Sequence, residues 1–455
     1  MPTDHKALAH RRLRKLCYNL TEIEQLASYQ QYERGTYLKR AVLLLVSLGS
    51  LFGIVSCSSN NSVTGPNGNA TVNAPSMLSH RAFITNQYSG NIQIIDSQND
   101  TTAYYTVTNN NTGITGPGVT GTAVAITVGG SLTFEVLSPD GLETLVYNPS
   151  TFSLTFITNS TELSNGGVNL ANWADMVLYS PDSTKVFAPV PNAPIANGRA
   201  GGVQVIDTST GAITSTYPVP QAHWVAISPN GNTLLVFALN SDTMYLIDLT
   251  QTSPTAVAIP GFARPVNAFF SSDNSTAYVI NCGPECGSTA GPPSVMSFNV
   301  ASQSITATVP VGGASVGLMK NGNIYVAGYP GGSTGTFDIV AVSSMTRTTA
   351  NPVAIGDGSH TTMAISNNNK MYIGAVTCAN VTTGCLSIVD LGTTQTNPTT
   401  GPLGGVTSMQ SIPNRYVMYV IEGGVLYMYD TTTGMLQSTQ LAFRGALYGV
   451  LQVDP

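Results

Sequence analysis

The sequence has little charge. Lys, Arg, Asp and Glu make up only 9% of its 455 residues, and there are just 5 His and 2 Trp. No repeated pair of carboxylates, no Ser/His/Asp spacing and no dense Asp/Glu cluster stands out, so neither a metal nor a cofactor is expected. Basic charge is scarcest where a polyanion would need it. Beyond Cys57, nine scattered Lys/Arg face nineteen Asp/Glu, and no Lys/Arg cluster follows residue 40. A nucleic acid needs a basic face to displace its counterions, so that class of partner is excluded. The apolar stretch Ala41 to Gly53 has 13 residues, short of the roughly 20 that a membrane-crossing helix needs. What is abundant is Gly (45) and Pro (26), with Ser, Thr and Asn filling the intervening segments. That composition belongs to exported β proteins, and 455 residues suit one large repeat array.

The front end divides into three parts. Residues 1–33, with "HRRLRK", form an unusually long basic leader, explained equally by an over-extended start or a short cytoplasmic tail. Arg34, Lys39 and Arg40 then precede Ala41 to Gly53, which has the length of a secretory apolar region. The segment ends in Ile54-Val55-Ser56-Cys57, which resembles the lipobox of bacterial lipoproteins. The resemblance implies lipidation of Cys57, a lipid anchor in the membrane and a bacterial cell-envelope location; an uncleaved anchor is the alternative. Residues 1–57 are thus leader and signal, and 58–75, "SSNNSVTGPNGNATVNAP", read as a flexible tether with almost nothing to bury.

Residues 76–455 repeat. "GGVQVIDTSTGAITSTYPVP" at 201–220 returns as "GGVLYMYDTTTGMLQSTQL" at 423–441 and, more loosely, as "GNIQIIDSQNDTTAYYTV" at 90–107. Each is a hairpin; in the first, Asp207 can accept a backbone N–H two residues on and Gly211 can take positive φ. Asp207, Asp248, Asp390 and Asp430 are therefore turn residues first. A second hairpin precedes each, as in "FEVLSPDGLETLVYN", "MVLYSPDSTKVFAPV" and "VAISPNGNTLLVFA", where Pro presets φ at the turn. The unit is four strands, A to D. Eight B-strand cores occur, spaced by 41 to 48 residues from Lys185 onward, a propeller-blade period. The fold expected is all-β: a propeller of four-stranded antiparallel blades, eight favoured and seven the alternative because 131–158 is irregular. The first repeat begins at strand B and the chain ends in an unpartnered strand, so Leu447 to Val453 is expected to complete the first blade.

"AFITNQYSGNIQIID", 82–96, resembles the YVTN family of β-propeller repeats through Phe83 to Asn86, Ser89-Gly90 and Ile92 to Asp96. The family includes surface proteins of unknown ligand and lactonase-like sugar hydrolases. The resemblance therefore implies a fold and leaves the activity open.

Strand alternation puts the short A–B and C–D turns on one face and the long B–C and D–A connections on the other, where binding is expected. Four cysteines lie in B–C loops: Cys282 and Cys286 in "NCGPECG", Cys378 and Cys385 in "TCANVTTGC". Three connectivities are possible; the two local disulfides are the expectation for an exported chain, at roughly 2 to 2.5 kcal/mol each. Near the start of the A strands lie Asp175, His223, Arg264, His360 and Arg444, with Trp173 and Trp224 alongside. They are read as candidates for a ligand site at the channel mouth, against the plainer role of polar plugs. An enzyme would draw on Glu135, Asp175, His223, Asp357 and His360. The expectation is a monomeric, envelope-tethered module binding a glycan or an envelope protein, with lactonase-like hydrolysis as the competing class.

Overall fold

The computed structural model describes residues 76, 78–102, 125–194, 200–331, 334–349, 351–378, 385–398, 404–437 and 446–454. The signal, the tether, Cys57 and Arg444 lie outside them. Among the described residues no helix is long and apolar enough to cross a membrane.

The second strand of each repeat explains the architecture. Thr233–Ala238 is buried at all but its first residue, whereas a strand with one solvated face would alternate. Its two sides are shared out: Leu234 and Val236 pack with Val203, Val205 and Phe187 of the preceding repeat, Leu235 and Phe237 with Ala268, Val279 and Phe298 of the next. A strand that is apolar on both sides needs a sheet on each side. The described residues accordingly form eight antiparallel sheets with an apolar cluster in each of the eight gaps between them. The molecule is an eight-bladed propeller. Blades 2 to 8 begin at inner strands Glu135–Leu137, Leu178–Tyr179, Ala222–Ile227, Pro265–Phe270, Val316–Lys320, His360–Ile365 and Val406–Ser411. In blades 1 and 6 the outer strand is interrupted: Thr101–Thr102 and Ala125–Thr127 both pair with Asn91–Asp96, and Thr346–Arg347 and Val353–Ile355 both pair with Gly335–Ala341.

The closure follows the expectation from the chain ends. Leu447–Gln452 pairs antiparallel with Arg81–Asn86 as the inner strand of blade 1. It lies between the inner strands of blades 8 and 2, so the ring is complete. Polar contacts lock it. Arg81 donates from Nε and Nη2 to the two carboxylate oxygens of Asp454 at 2.8 and 2.7 Å, and from Nη1 to Glu162 at 3.0 Å. Glu162 also accepts from the backbone and hydroxyl of Ser76. Between blades 8 and 1, Arg415 and the Tyr419 hydroxyl share Asp100 at 2.6 Å each.

Candidate functional site at the channel mouth

The two faces differ in what their polar side chains do. On the turn face, Ser138, Ser180, Ser228, Ser271 and Ser366 each accept the N–H that opens the second strand. Each donates in turn to the Asp or Asn two residues on, at 2.5 to 2.7 Å. The C–D turns repeat the device: Asp207 accepts from Ser209 and Thr210, Asp248 from Thr250, and Asp430 from Thr432. Hydroxyl donors two residues away, aided by turn N–H groups, hold Asp140, Asp182, Asp207, Asp248, Asp273 and Asp430 below the usual carboxylate range. Asp390 accepts from the N–H groups of Gly392 and Thr393. A cavity of about 440 Å³ between blades 3 and 4 opens on this face, but Asp182 and Asn230 in its wall are already committed to their own turns.

The loop face is built from one position per blade. At the residue five before the turn serine, blades 2, 3, 4, 5 and 7 carry Thr133, Asp175, His223, Val266 and Thr361. The same step back from Lys320 and Ile412 at the equivalent turns, and from Val453 at the equivalent place in the clasp, gives Ser315, Thr407 and Tyr448. In all eight blades this position reaches solvent, whereas the residue before it is buried. In five blades, 1, 4, 5, 7 and 8, the register slips here by a bulge, which turns one side chain out of the sheet toward the channel mouth.

Asp175 and His223 thus occupy the same position in neighbouring blades, 48 residues apart, and they meet: His223 Nε2 contacts Asp175 Oδ2. The pair is accessible, with the Asp175 side chain 50% and the His223 side chain 23% exposed. Trp173 and Trp224 flank the imidazole edge-on, with ring centroids at 6.2 and 6.0 Å. The backbone at Asp175 is held by Ala174, whose N–H donates to the Tyr147 hydroxyl at 3.0 Å. Tyr448 lies within electrostatic reach: burial raises its hydroxyl pKa, and the Asp175 charge adds to it.

The other candidates do not join this pair. Arg264 sits two residues before the ring position of blade 5, and its guanidinium donates to the carbonyls of Cys286 and Gly287. It clamps the short 3-10 helix Gly283–Cys286 in the loop that the Cys282–Cys286 disulfide closes; the second disulfide joins Cys378 to Cys385. Both pairs are local, as expected. His360 is 2% exposed, at the position where other blades bury apolar residues, and burial pushes its pKa down to about 4. It packs against Gly335, where a side chain would strike its ring. Glu135 takes the place of Val225 in blade 4. Both its carboxylate oxygens are buried without a hydrogen-bond partner, and burial raises its pKa well above the usual value. It packs close to Gly449, where a Cβ would lie 3.2 Å from Oε1. Asp357 lies in the loop preceding His360–Ile365. Among the described residues no three His, Cys, Asp or Glu side chains gather as metal ligands would.

No protein-family profile and no curated protein matches the sequence. Solved structures do match in fold. Dihydro-heme d1 dehydrogenase NirN in complex with DHE is 12% identical, with a TM-score of 0.61 over 84% of this chain and 78% of that one. A functionally unknown protein from Desulfotomaculum acetoxidans DSM 771 is 15% identical, with a TM-score of 0.51 over 83% of this chain and 100% of that one. At such identities the likeness concerns the fold alone, and the fold is an eight-bladed β-propeller with two disulfides, bonds that form and persist in an oxidising location.

Proposed function

We propose that the protein is an exported, N-terminally anchored propeller that binds a glycan, free or carried by an envelope protein, at the channel mouth between blades 3 and 4. The observation that carries this reading is the accessible Asp175–His223 pair flanked by Trp173 and Trp224. A carboxylate and an imidazole offer hydrogen-bond acceptors and a donor for sugar hydroxyls, and indole surfaces suit the apolar C–H faces of a sugar ring. Two disulfides and the Ile54 to Cys57 signal support export with lipidation at Cys57. Kinship with YVTN repeats is supported by placement: Phe83 to Asn86 lie in strand B of blade 1, Ser89-Gly90 in its turn and Ile92 to Asp96 in strand C.

Titrating a panel of oligosaccharides into the wild-type protein and into Trp173→Ala and Trp224→Ala tests the site. Binding that weakens at least about tenfold in both variants is the expected result. Anchoring is tested separately by fatty-acid labelling, which Cys57→Ser should abolish.

A second reading is favoured by the same contact. Asp175 orients His223 as a carboxylate orients a general base, so His223 could activate water against a sugar lactone. Lactone turnover lost in both His223→Ala and Asp175→Ala would select it over binding alone.

A further inference from the structure

We infer that the channel mouth selects uncharged sugars and rejects acidic ones such as uronates. This rests on the glycan-binding reading and names the ligand class for that site.

The ring of equivalent positions carries the argument. Five of the eight are hydroxyls: Thr133, Ser315, Thr361, Thr407 and Tyr448; blade 5 contributes Val266. None is Lys or Arg. Arg264 is set back from the ring with its guanidinium committed to two carbonyls, so it does not stand in for one.

Two of the five ring hydroxyls have their protons committed to backbone carbonyls. Thr407 donates its hydroxyl to the Tyr448 carbonyl at 2.7 Å, and Ser315 donates to the His360 carbonyl at 3.2 Å. A hydroxyl whose proton is spent this way presents lone pairs to a ligand. A sugar O–H can donate to them. A ligand carboxylate cannot, because it only accepts.

Charge points the same way. Asp175 is half exposed and, among the described residues, has no Lys or Arg partner. Glu285 adds a second carboxylate beside Ser315, where its Oε2 accepts the Tyr329 N–H at 2.8 Å. An acidic ligand would bring its charge next to these groups in a mouth partly screened from water, where repulsion acts more strongly than in bulk.

The test uses the full chain and calorimetric titration. Neutral gluco- and galacto-oligosaccharides are compared with their glucuronate and galacturonate counterparts, on wild type and on Asp175→Asn. The amide keeps an oxygen for the His223 N–H and removes the charge. The uronates are expected to bind wild type at least about tenfold more weakly than their neutral counterparts, and Asp175→Asn should close most of that gap. Uronates that bind wild type as well as neutral sugars would overturn the inference, as would a preference for neutral sugars that Asp175→Asn leaves intact. If no sugar of either kind binds, the glycan reading itself falls, and the inference falls with it. An unchanged thermal midpoint in Asp175→Asn shows that any altered selectivity does not come from lost folding.

Discussion

The two faces of the propeller use the same residue types to opposite ends. On the turn face every Ser–x–Asp or Ser–x–Asn turn closes on itself, so Asp140, Asp182 and Asp273 serve the backbone. On the loop face a bulge turns His223 out of the sheet, Asp175 stands in the segment before the short inner strand Leu178–Tyr179, and the two find each other instead. Polar groups consumed by their own turns stabilise; polar groups at the ring position remain available. The faces differ in titration as well. Hydrogen bonds hold the turn-face aspartates below the usual range, whereas burial raises Glu135, Glu285 and Glu422 at the loop-face ends of their blades, with Glu143 an exception on the turn face.

The largest effect should come from breaking the clasp. Arg81→Ala leaves Asp454 and Glu162 without their counter-charge and should cost roughly 3 to 5 kcal/mol in denaturant unfolding. Next is Glu422, 2% exposed and bonded at 2.5 Å by the Tyr429 hydroxyl, whose folded pKa burial lifts from 4.5 to about 7. The folded state favours the protonated form. Its contribution is therefore full below about pH 4.5 and is lost as pH rises through 7, by about 3 kcal/mol in all. Glu422→Gln should flatten that decline in thermal midpoints measured between pH 5 and 8. The turn face behaves in the opposite sense. Asp454, lowered by Arg81 against the pull of burial, contributes stability above the ordinary aspartate pKa that is lost as pH falls through its folded value. Replacing Cys378 and Cys385 together by Ser should cost about 2.5 kcal/mol through the freed loop. Ser180→Ala, which removes both the acceptor for the Lys185 N–H and the donor to Asp182, should cost about 1 kcal/mol.

Much of this contrast was legible in the sequence. The period favours eight blades over seven, and the missing first A strand and unpaired last strand point to the closure, because both are matters of counting hydrophobic runs. Asp175 and His223 were singled out, but not as partners. Their separation of 48 residues is a blade-to-blade spacing, and each stands five residues before a Ser-Pro turn, which is the signal that would have paired them. Thr133 carries the same signal, and Val266 and Thr361 stand five residues before turn serines that no Pro follows, but hydroxyl and apolar side chains do not announce a site. His360 and Arg264 looked equivalent to His223, yet they fall one and two residues short of the ring. Where the inner strand is bulged, the slip of a single residue decides between core and channel, and an apolar period does not encode it.

The division of labour between the faces is tested most directly by one paired measurement. The oligosaccharide that binds wild type most tightly is titrated into Asp175→Ala and Ser180→Ala, and the thermal midpoint of each is recorded. Asp175→Ala should lose binding at least about tenfold while its stability stays within about 0.5 kcal/mol of wild type. Ser180→Ala should bind as wild type does and melt earlier. Binding unchanged in Asp175→Ala, or lost in Ser180→Ala, would contradict the placement of the working surface on the loop face.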